Sequence, residues 1–178
     1  RQRLMCIRDS LGSGPMRIAA APPRGLDRIA ELPRLRRLYL SSPAIGETGL
    51  TSLRRSDTLE TLWINAGTLD ASAWRGLGSL KQLKRLRLAA TPLLPSSGQQ
   101  LANLEKLAFL DLTASGATNE TVAALPQLEH LHTLILDQAR IEDDVAGSLA
   151  TMRSLRRLSL NSVPIHDVSL ERLAALHC

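Results

Sequence analysis

The residues of this chain whose types could do chemistry are few and scattered. His130 and His132 are spaced to share one side of a strand, and Asp111 and Asp137 could lie near them. A metal site needs three or four converging ligands, so the two histidines read as surface residues and no metal is expected. Gly12-Ser13-Gly14-Pro15 has the glycine content of a phosphate-cradling loop but lacks the lysine and helix that must follow; it reads as a turn or an edge strand. His177-Cys178 places a base beside a nucleophile, yet the pair is terminal in the sequence and nothing orients the imidazole. Asn119-Glu120-Thr121 fits the glycosylation acceptor pattern, which matters only in a secreted protein, whereas Asn119 is also suited to cap a helix start, the preferred reading. No nucleophile, metal or cofactor motif is assembled, so no catalytic residue and no cofactor is expected and the chain reads as a non-enzyme.

The elements that carry these residues are set by one pattern, clearest at Leu131-His132-Thr133-Leu134-Ile135-Leu136, with leucines at relative places 0, 3 and 5. It returns every 24 residues, with place 0 at Leu11, Leu35, Leu59, Leu83, Leu107, Leu131 and Leu155. Place 3 is Leu38, Leu62, Leu86, Leu110, Leu134 and Leu158, and place 5 is Leu40, Ile64, Leu88, Leu112, Leu136 and Leu160. A step of two is the strand period, so both places face the core. Further on, apolar residues at places 14 or 15, 18 and 21 follow the three-to-four step of a helix with one inward stripe. Glu47, Asn119, Asp143 and Asp167 at place 12, with Asp70 and Ser96 one place to either side, stand where the free N–H groups of a helix start need acceptors. Each copy is thus a short strand, a turn and a short helix. One copy cannot bury its leucines, and stacked copies can, with strands side by side at about 4.8 Å. Helices are bulkier than strands, so the sheet takes the concave side. A coiled coil is excluded because no heptad is kept.

The first copy is weak, with Gly14 at place 3 and Pro22-Pro23 in its connection, although Met16, Ile29 and Leu32 still fit. Residues 1–10 read as the tail of a preceding repeat or an N-terminal flank, with Met5 where a buried convex-side residue would fall, and residues 11–178 as the repeat domain. No polar cap follows Leu173 and Leu176, which points to a section of a longer solenoid continuing end to end into further repeats.

Leu83-Lys84-Arg85-Leu86-Arg87-Leu88 followed by Leu93 resembles the LxxLxLxxNxL segment of the leucine-rich repeat proteins, and the resemblance covers essentially the whole chain. Ile45-Gly46-Glu47-Thr48-Gly49-Leu50 and Ile141-Glu142-Asp143-Asp144 are similar to the variety common in bacterial and protist proteins. What the resemblance implies is an α/β fold: a right-handed superhelix of about seven repeats with a concave parallel β-sheet, convex short helices and a protein-binding role. One departure is that place 8 holds Ala19, Pro43, Gly67, Thr91, Ser115, Ala139 and Val163, so the family's buried asparagine ladder is absent.

Function is expected where the pattern stops repeating. Strand places 2 and 4 face away from the core; place 4 reads Tyr39, Trp63, Arg87, Asp111, Ile135 and Ser159, and place 2 reads Arg37, Thr61, Arg85, Phe109, Thr133 and Arg157. Only 2% of the chain is aromatic, yet the single Tyr, the single Phe and one of two Trp fall on this face, while Trp74 at place 15 is expected in the core. Trp, Tyr and Arg dominate interface energetics. The leading expectation is a non-enzymatic scaffold that receives a protein segment on its concave face. Tyr39, Trp63 and Phe109 would anchor the segment, and Arg36, Arg37, Lys84, Arg85 and Arg87 would clamp its acidic residues, with Asp111 on the same face. The alternative is single-stranded RNA, since basic and aromatic side chains together track phosphates and stack on bases.

The totals are compatible with both. The chain has 178 residues, 44% hydrophobic and 22% charged, the composition of one globular domain. Its net charge of +5 is uneven: residues 1–88 hold 16 Lys/Arg against 7 Asp/Glu, a balance of +9, and residues 89–178 hold 6 against 10, a balance of −4. A basic half attracts acidic protein, nucleic acid or anionic lipid alike. Cys6 and Cys178 lie at opposite ends of an elongated array, too far apart to bridge, which favours a reducing compartment and an intracellular, cytoplasmic location. No membrane span or signal peptide is visible.

Overall fold

Each L-x-L pair of the sequence becomes one rung of a single sheet. The computed structural model describes residues 5–7, 15–19, 29, 31–42 and 47–166. Its strands are β1 (Met5–Ile7), β2 (Met16–Ala19), β3 (Arg37–Ser42), β4 (Thr61–Ala66), β5 (Arg85–Arg87), β6 (Phe109–Asp111), β7 (Thr133–Ile135) and β8 (Arg157–Ser159). They lie in the order of the chain, and β2 to β8 run parallel. From β3 onward the rungs step by 24 residues, with Leu38 beside Leu62, then Leu86, Leu110, Leu134 and Leu158. The stack has no insertion there because each turn of chain returns the same apolar side chain to the same depth. A one-residue slip would turn every leucine to solvent.

Between strands run the short helices α1 (Glu47–Ser52), α2 (Ala71–Gly78), α3 (Ser97–Ala102), α4 (Asn119–Ala123) and α5 (Val145–Ala150), with 3-10 turns at Leu53–Arg55 and Leu125–Gln127. Isolated helices of this length are unstable in water, so their inward stripe must be held by the stack. Ile29, Leu53, Leu77, Leu101, Leu125 and Leu149 at place 18 are all buried, and they join the strand leucines in one continuous core. Trp74 lies in that core as expected, 1% exposed. Among the described residues, no helix is long and apolar enough to cross a membrane.

Four features differ from the sequence reading. Met16 aligns with Leu38 and Ile18 with Leu40, so Met16 stands at place 3 and Ile18 at place 5, and Gly14 is not the place-3 residue. The first copy is therefore two residues shorter than the others from strand to strand. A shift by two keeps every side chain on its face, which is why the slip left the hydrophobic pattern intact. Second, β1 pairs with β2 antiparallel, so Met5 stands in an edge strand of the sheet and not at a convex-side place of a preceding repeat. The eight residues between Ile7 and Met16 are too few for the crossover that a parallel neighbour needs.

Third, Asn119 and Asp143 do not cap their own helices. Asp70 does cap α2, its Oδ1 accepting the Ala73 N–H at 2.7 Å. The N-cap of α4, however, is Thr118, and Asn119 Oδ1 accepts the Glu142 N–H at 2.9 Å. Asp143 likewise accepts the His166 N–H at 3.0 Å. Both side chains tie one repeat to the backbone of the next. Fourth, Ser96 stands at the N-cap of α3 without a side-chain capping bond.

The place-8 asparagine is replaced by smaller devices. Ala90, Ala114, Gln138 and Ser162 adopt φ values of 54°, 53°, 58° and 58°, so the chain turns through a left-handed residue at place 7 in successive repeats. Ser115 Oγ donates to the Leu112 carbonyl at 2.6 Å, closing one such turn from within the core. Gly12 to Gly14, Pro22-Pro23, Ile45-Gly46, Asp167, Leu173, Leu176 and His177-Cys178 lie outside the described residues.

Candidate functional site

The parallel register carries the place-4 side chains into one row across the sheet. Tyr39 and Trp63 are opposite each other on β3 and β4, and their rings stack with centroids 4.2 Å apart and planes 4° from parallel. Neighbouring strands are about 4.8 Å apart, so residues opposite each other in a parallel register bring two rings within stacking reach. The row continues at both ends. The Arg87 guanidinium lies 5.6 Å from the Trp63 ring centre, and the Arg17 guanidinium lies 5.5 Å from that of Tyr39. Arg17 is not among the expected site residues, because the 24-residue register counted from Leu11 puts Pro15 at place 4 of a first copy that is two residues shorter. The segment Met16-Arg17-Ile18, which has an outward residue between two inward ones, was the signal that could have found it.

Beyond Arg87 stands Asp111, whose Oδ2 meets Arg87 Nε at 3.0 Å. The aspartate side chain is only 7% exposed, and its Oδ1 accepts the Thr113 N–H at 3.0 Å and the Thr113 hydroxyl at 2.6 Å. Arg87, 44% exposed, is therefore held between the Asp111 carboxylate on one side and the Trp63 ring on the other. The sequence of contacts is cation, ring, ring, cation, carboxylate. Both faces of Tyr39 and both faces of Trp63 are covered within the chain, so an incoming group meets ring edges. Trp63 Nε1 is buried and finds no acceptor among the described residues, which leaves carbon surface as what that ring offers.

The remaining expected site residues are distributed as follows. Phe109 lies in the place-2 row, away from the stacked pair, and the Arg85 guanidinium covers it at 4.9 Å from the ring centre. Arg37 is an exposed place-2 residue beside Thr61. Arg36 and Lys84 precede their strands, with Glu60 at the equivalent place of the copy between them. Lys84 Nζ meets Glu60 Oε1 at 3.0 Å. That hydrogen bond holds the Glu60 carboxyl below the usual range, with the charges of Lys84 and Arg36 adding to it against a partial desolvation. Lys84 and Arg87, both expected to form the clamp, thus have carboxylate partners in the chain. Arg17, unforeseen, adds a cation to the row.

His130 and His132 are exposed and lie just before β7, while Asp111 is engaged with Arg87 and Thr113. Asp137 accepts the Ser159 hydroxyl at 2.6 Å and the Asn161 N–H at 2.9 Å. Neither carboxylate is thus held for the histidines, and among the described residues no group of three potential ligands could hold a metal.

Beside the stacked pair the sheet forms an open depression of about 340 Å³. Its lining comes from four successive strands and the turn after β5, with Arg17 at one end, Tyr39, Ser41, Trp63 and Asn65 along it, and Arg87 and Ala89 at the other. The space is comparable to a small ligand or to several residues of a peptide.

No family model and no curated protein matches the sequence. Solved structures do match in fold. An internalin of Listeria monocytogenes is 18% identical with a TM-score of 0.56, over 85% of this chain and 49% of that one. The Arabidopsis receptor kinase HAESA, solved in complex with the peptide hormone IDA and the co-receptor SERK1, is 20% identical with a TM-score of 0.60, over 88% of this chain and 26% of that one. A leucine-rich repeat protein of Leptospira interrogans is 16% identical with a TM-score of 0.54, over 88% and 44%. The chain spans half or less of each of these proteins. The 24-residue register, the parallel sheet with helices on one side and these neighbours agree that the chain folds as a leucine-rich repeat solenoid.

Proposed function

We propose that this chain is a non-enzymatic interaction scaffold whose concave sheet receives a segment of a partner protein at the row formed by Arg17, Tyr39, Trp63 and Arg87. The observation that carries the reading is the stacked Tyr39 and Trp63 pair, closed at each end by a guanidinium and open along its edges to the depression. A solvated sheet has no need to place its scarce aromatic residues outward. A rigid aromatic pair that has already lost its side-chain freedom binds at lower entropic cost than mobile rings would. The basic first half of the chain favours a partner segment with acidic residues, and the peptide complex of the HAESA neighbour is an analogy at the level of the fold. Single-stranded RNA is less well supported, because stacking on bases needs open ring faces and these rings are covered on both sides.

The test is the affinity of a purified partner, first isolated by capture on the wild-type protein, for the Tyr39→Ala/Trp63→Ala double variant. Interface anchors contribute at least about 2 kcal/mol each, so a loss of well over tenfold is expected while far-ultraviolet circular dichroism stays unchanged. Undiminished affinity would place the binding site elsewhere.

A further inference from the structure

The depression has a length and two charged ends, and together they specify a ligand more narrowly than a protein segment in general. We infer that the occupant is an extended acidic peptide lying across the strands, with two carboxylate side chains four residues apart. One is held by Arg17, the other by Arg87, and the side chain midway between them rests on the edges of Tyr39 and Trp63. The inference rests on the interaction reading above and adds its spacing.

Arg17 lies on β2 and Arg87 on β5, three strand steps apart, or about 14 Å at the usual strand spacing. An extended peptide advances about 3.3 Å per residue, so four residues cover about 13 Å, and a difference of about 1 Å is within the reach of two arginine side chains. Two residues cover about 7 Å and six about 20 Å, and neither spans the pair of cations. Side chains of an extended peptide alternate sides, so residues i, i+2 and i+4 all face the sheet. The middle one then stands over the aromatic pair, where the buried indole N–H leaves carbon surface to meet it.

The cations are shaped for carboxylates. Each lies within cation–π range of an aromatic ring, which draws the guanidinium toward the row. Asp111 takes Arg87 at Nε, so the fork of the two terminal nitrogens is the edge a carboxylate of the partner meets, the geometry of a bidentate pair. Ser41 and Asn65 on the lining supply side chains able to bond the peptide's own backbone.

The test uses the whole chain and synthetic peptides in a neutral Gly/Ser frame, each with a central Tyr and two Glu at spacing two, four or six, together with a spacing-four peptide in which both Glu are Gln. Binding is read by the fluorescence anisotropy of a dye at the peptide terminus, a signal that does not depend on Trp63 and so also serves the Tyr39→Ala/Trp63→Ala variant. The spacing-four peptide is expected to bind at least tenfold tighter than the other three. Arg17→Ala should remove the advantage of one Glu over Gln, and Arg87→Ala that of the other, in each case without further loss when the matching Glu is already Gln. Equal binding at all three spacings, with sensitivity to Tyr39→Ala/Trp63→Ala retained, would overturn the spacing while leaving the interaction reading in place. If the peptides do not bind and a captured partner is indifferent to Tyr39→Ala/Trp63→Ala, both fail. Displacement of the spacing-four peptide by oligouridine of equal charge at equal concentration would mark a general anion surface and overturn the inference.

Discussion

At the scale of single residues, neighbouring ion pairs on this sheet differ in energetic weight because they differ in burial. Asp111 is nearly enclosed and accepts from Arg87, the Thr113 N–H and the Thr113 hydroxyl. Hydrogen bonds to a charged group contribute roughly 1.5–3 kcal/mol, and Arg87 is exposed enough to turn to water when its partner goes, so no stranded charge is added. Asp111→Ala is therefore expected to lower unfolding stability by about 2 kcal/mol, read as a shift of the urea midpoint. Lys84→Ala breaks a pair that is 53% and 37% exposed, and a change of less than about 0.5 kcal/mol is expected. Asp137 supplies a pH test. The Ser159 hydroxyl holds its carboxyl below the usual 3.8, helped by the Asn161 backbone and side-chain amides against a partial desolvation. A carboxyl lowered in the folded state stabilises fully above its unfolded value, and the contribution is lost as pH falls through the folded one. The stability gap between wild type and Asp137→Asn should be constant above about pH 5 and should shrink below about pH 4. A gap that persists unchanged at pH 3 would show that the bonds and not the charge matter.

At the scale of elements, helix against helix is where the stack is tightest. A Cβ on Gly76 would stand 2.8 Å from Thr51 N and 2.9 Å from Leu50 C, so α2 abuts the backbone of α1 through a residue with no side chain. Backbone atoms cannot swing aside. Gly76→Ala gains about 1 kcal/mol of helix propensity but costs roughly 1–3 kcal/mol of overpacking, and net destabilisation is expected. Gly147 in α5 would meet nothing within 4 Å, so Gly147→Ala should stabilise by up to about 1 kcal/mol. Thermal melts of the two variants, moving in opposite directions, check the pair. The same scale explains what could be read from the sequence. Strand and helix stripes were legible because burial imposes a period, and Tyr39, Trp63 and Phe109 were placed on the outward face by parity alone. What period cannot specify is which polar group a side chain chooses. Asn119 opens its own helix and Asp143 stands two residues before its own, each one place from the position Asp70 takes, and a neighbouring repeat offers them N–H groups at bonding distance. For the same reason the pairing of Lys84 with Glu60 and of Arg87 with Asp111, a full repeat away in sequence, reduced a clamp that counting cations had made larger. Arg17 was lost to a two-residue shift that parity does not detect.

At the scale of the whole molecule, the leucines that build the stack and the side chains that build the face are separable, since each repeat contacts chiefly its neighbours and the rungs are interchangeable in their core. Removing residues 131–154 would set Phe109, Leu110 and Asp111 beside Arg157, Leu158 and Ser159, a junction that repeats the existing rungs of leucine on leucine. It leaves Arg17, Tyr39, Trp63, Arg87 and Asp111 in place. Removing residues 83–106 is equally conservative for the core, because Leu110 would then meet Leu62, but it takes away Arg87 and puts Asp111 against the face of Trp63. Both shortened chains are expected to fold, with a denaturant slope lower by roughly one-seventh, since that slope follows the surface exposed on unfolding. Their binding should differ. The chain without 131–154 should hold a spacing-four acidic peptide within about threefold of wild type, a change of under about 0.7 kcal/mol. The chain without 83–106 should lose it, because a cation that closed the row has been replaced by a carboxylate that repels the incoming one. Equal binding by the two would mean that the concave row is not where the ligand sits, whatever the fate of the fold.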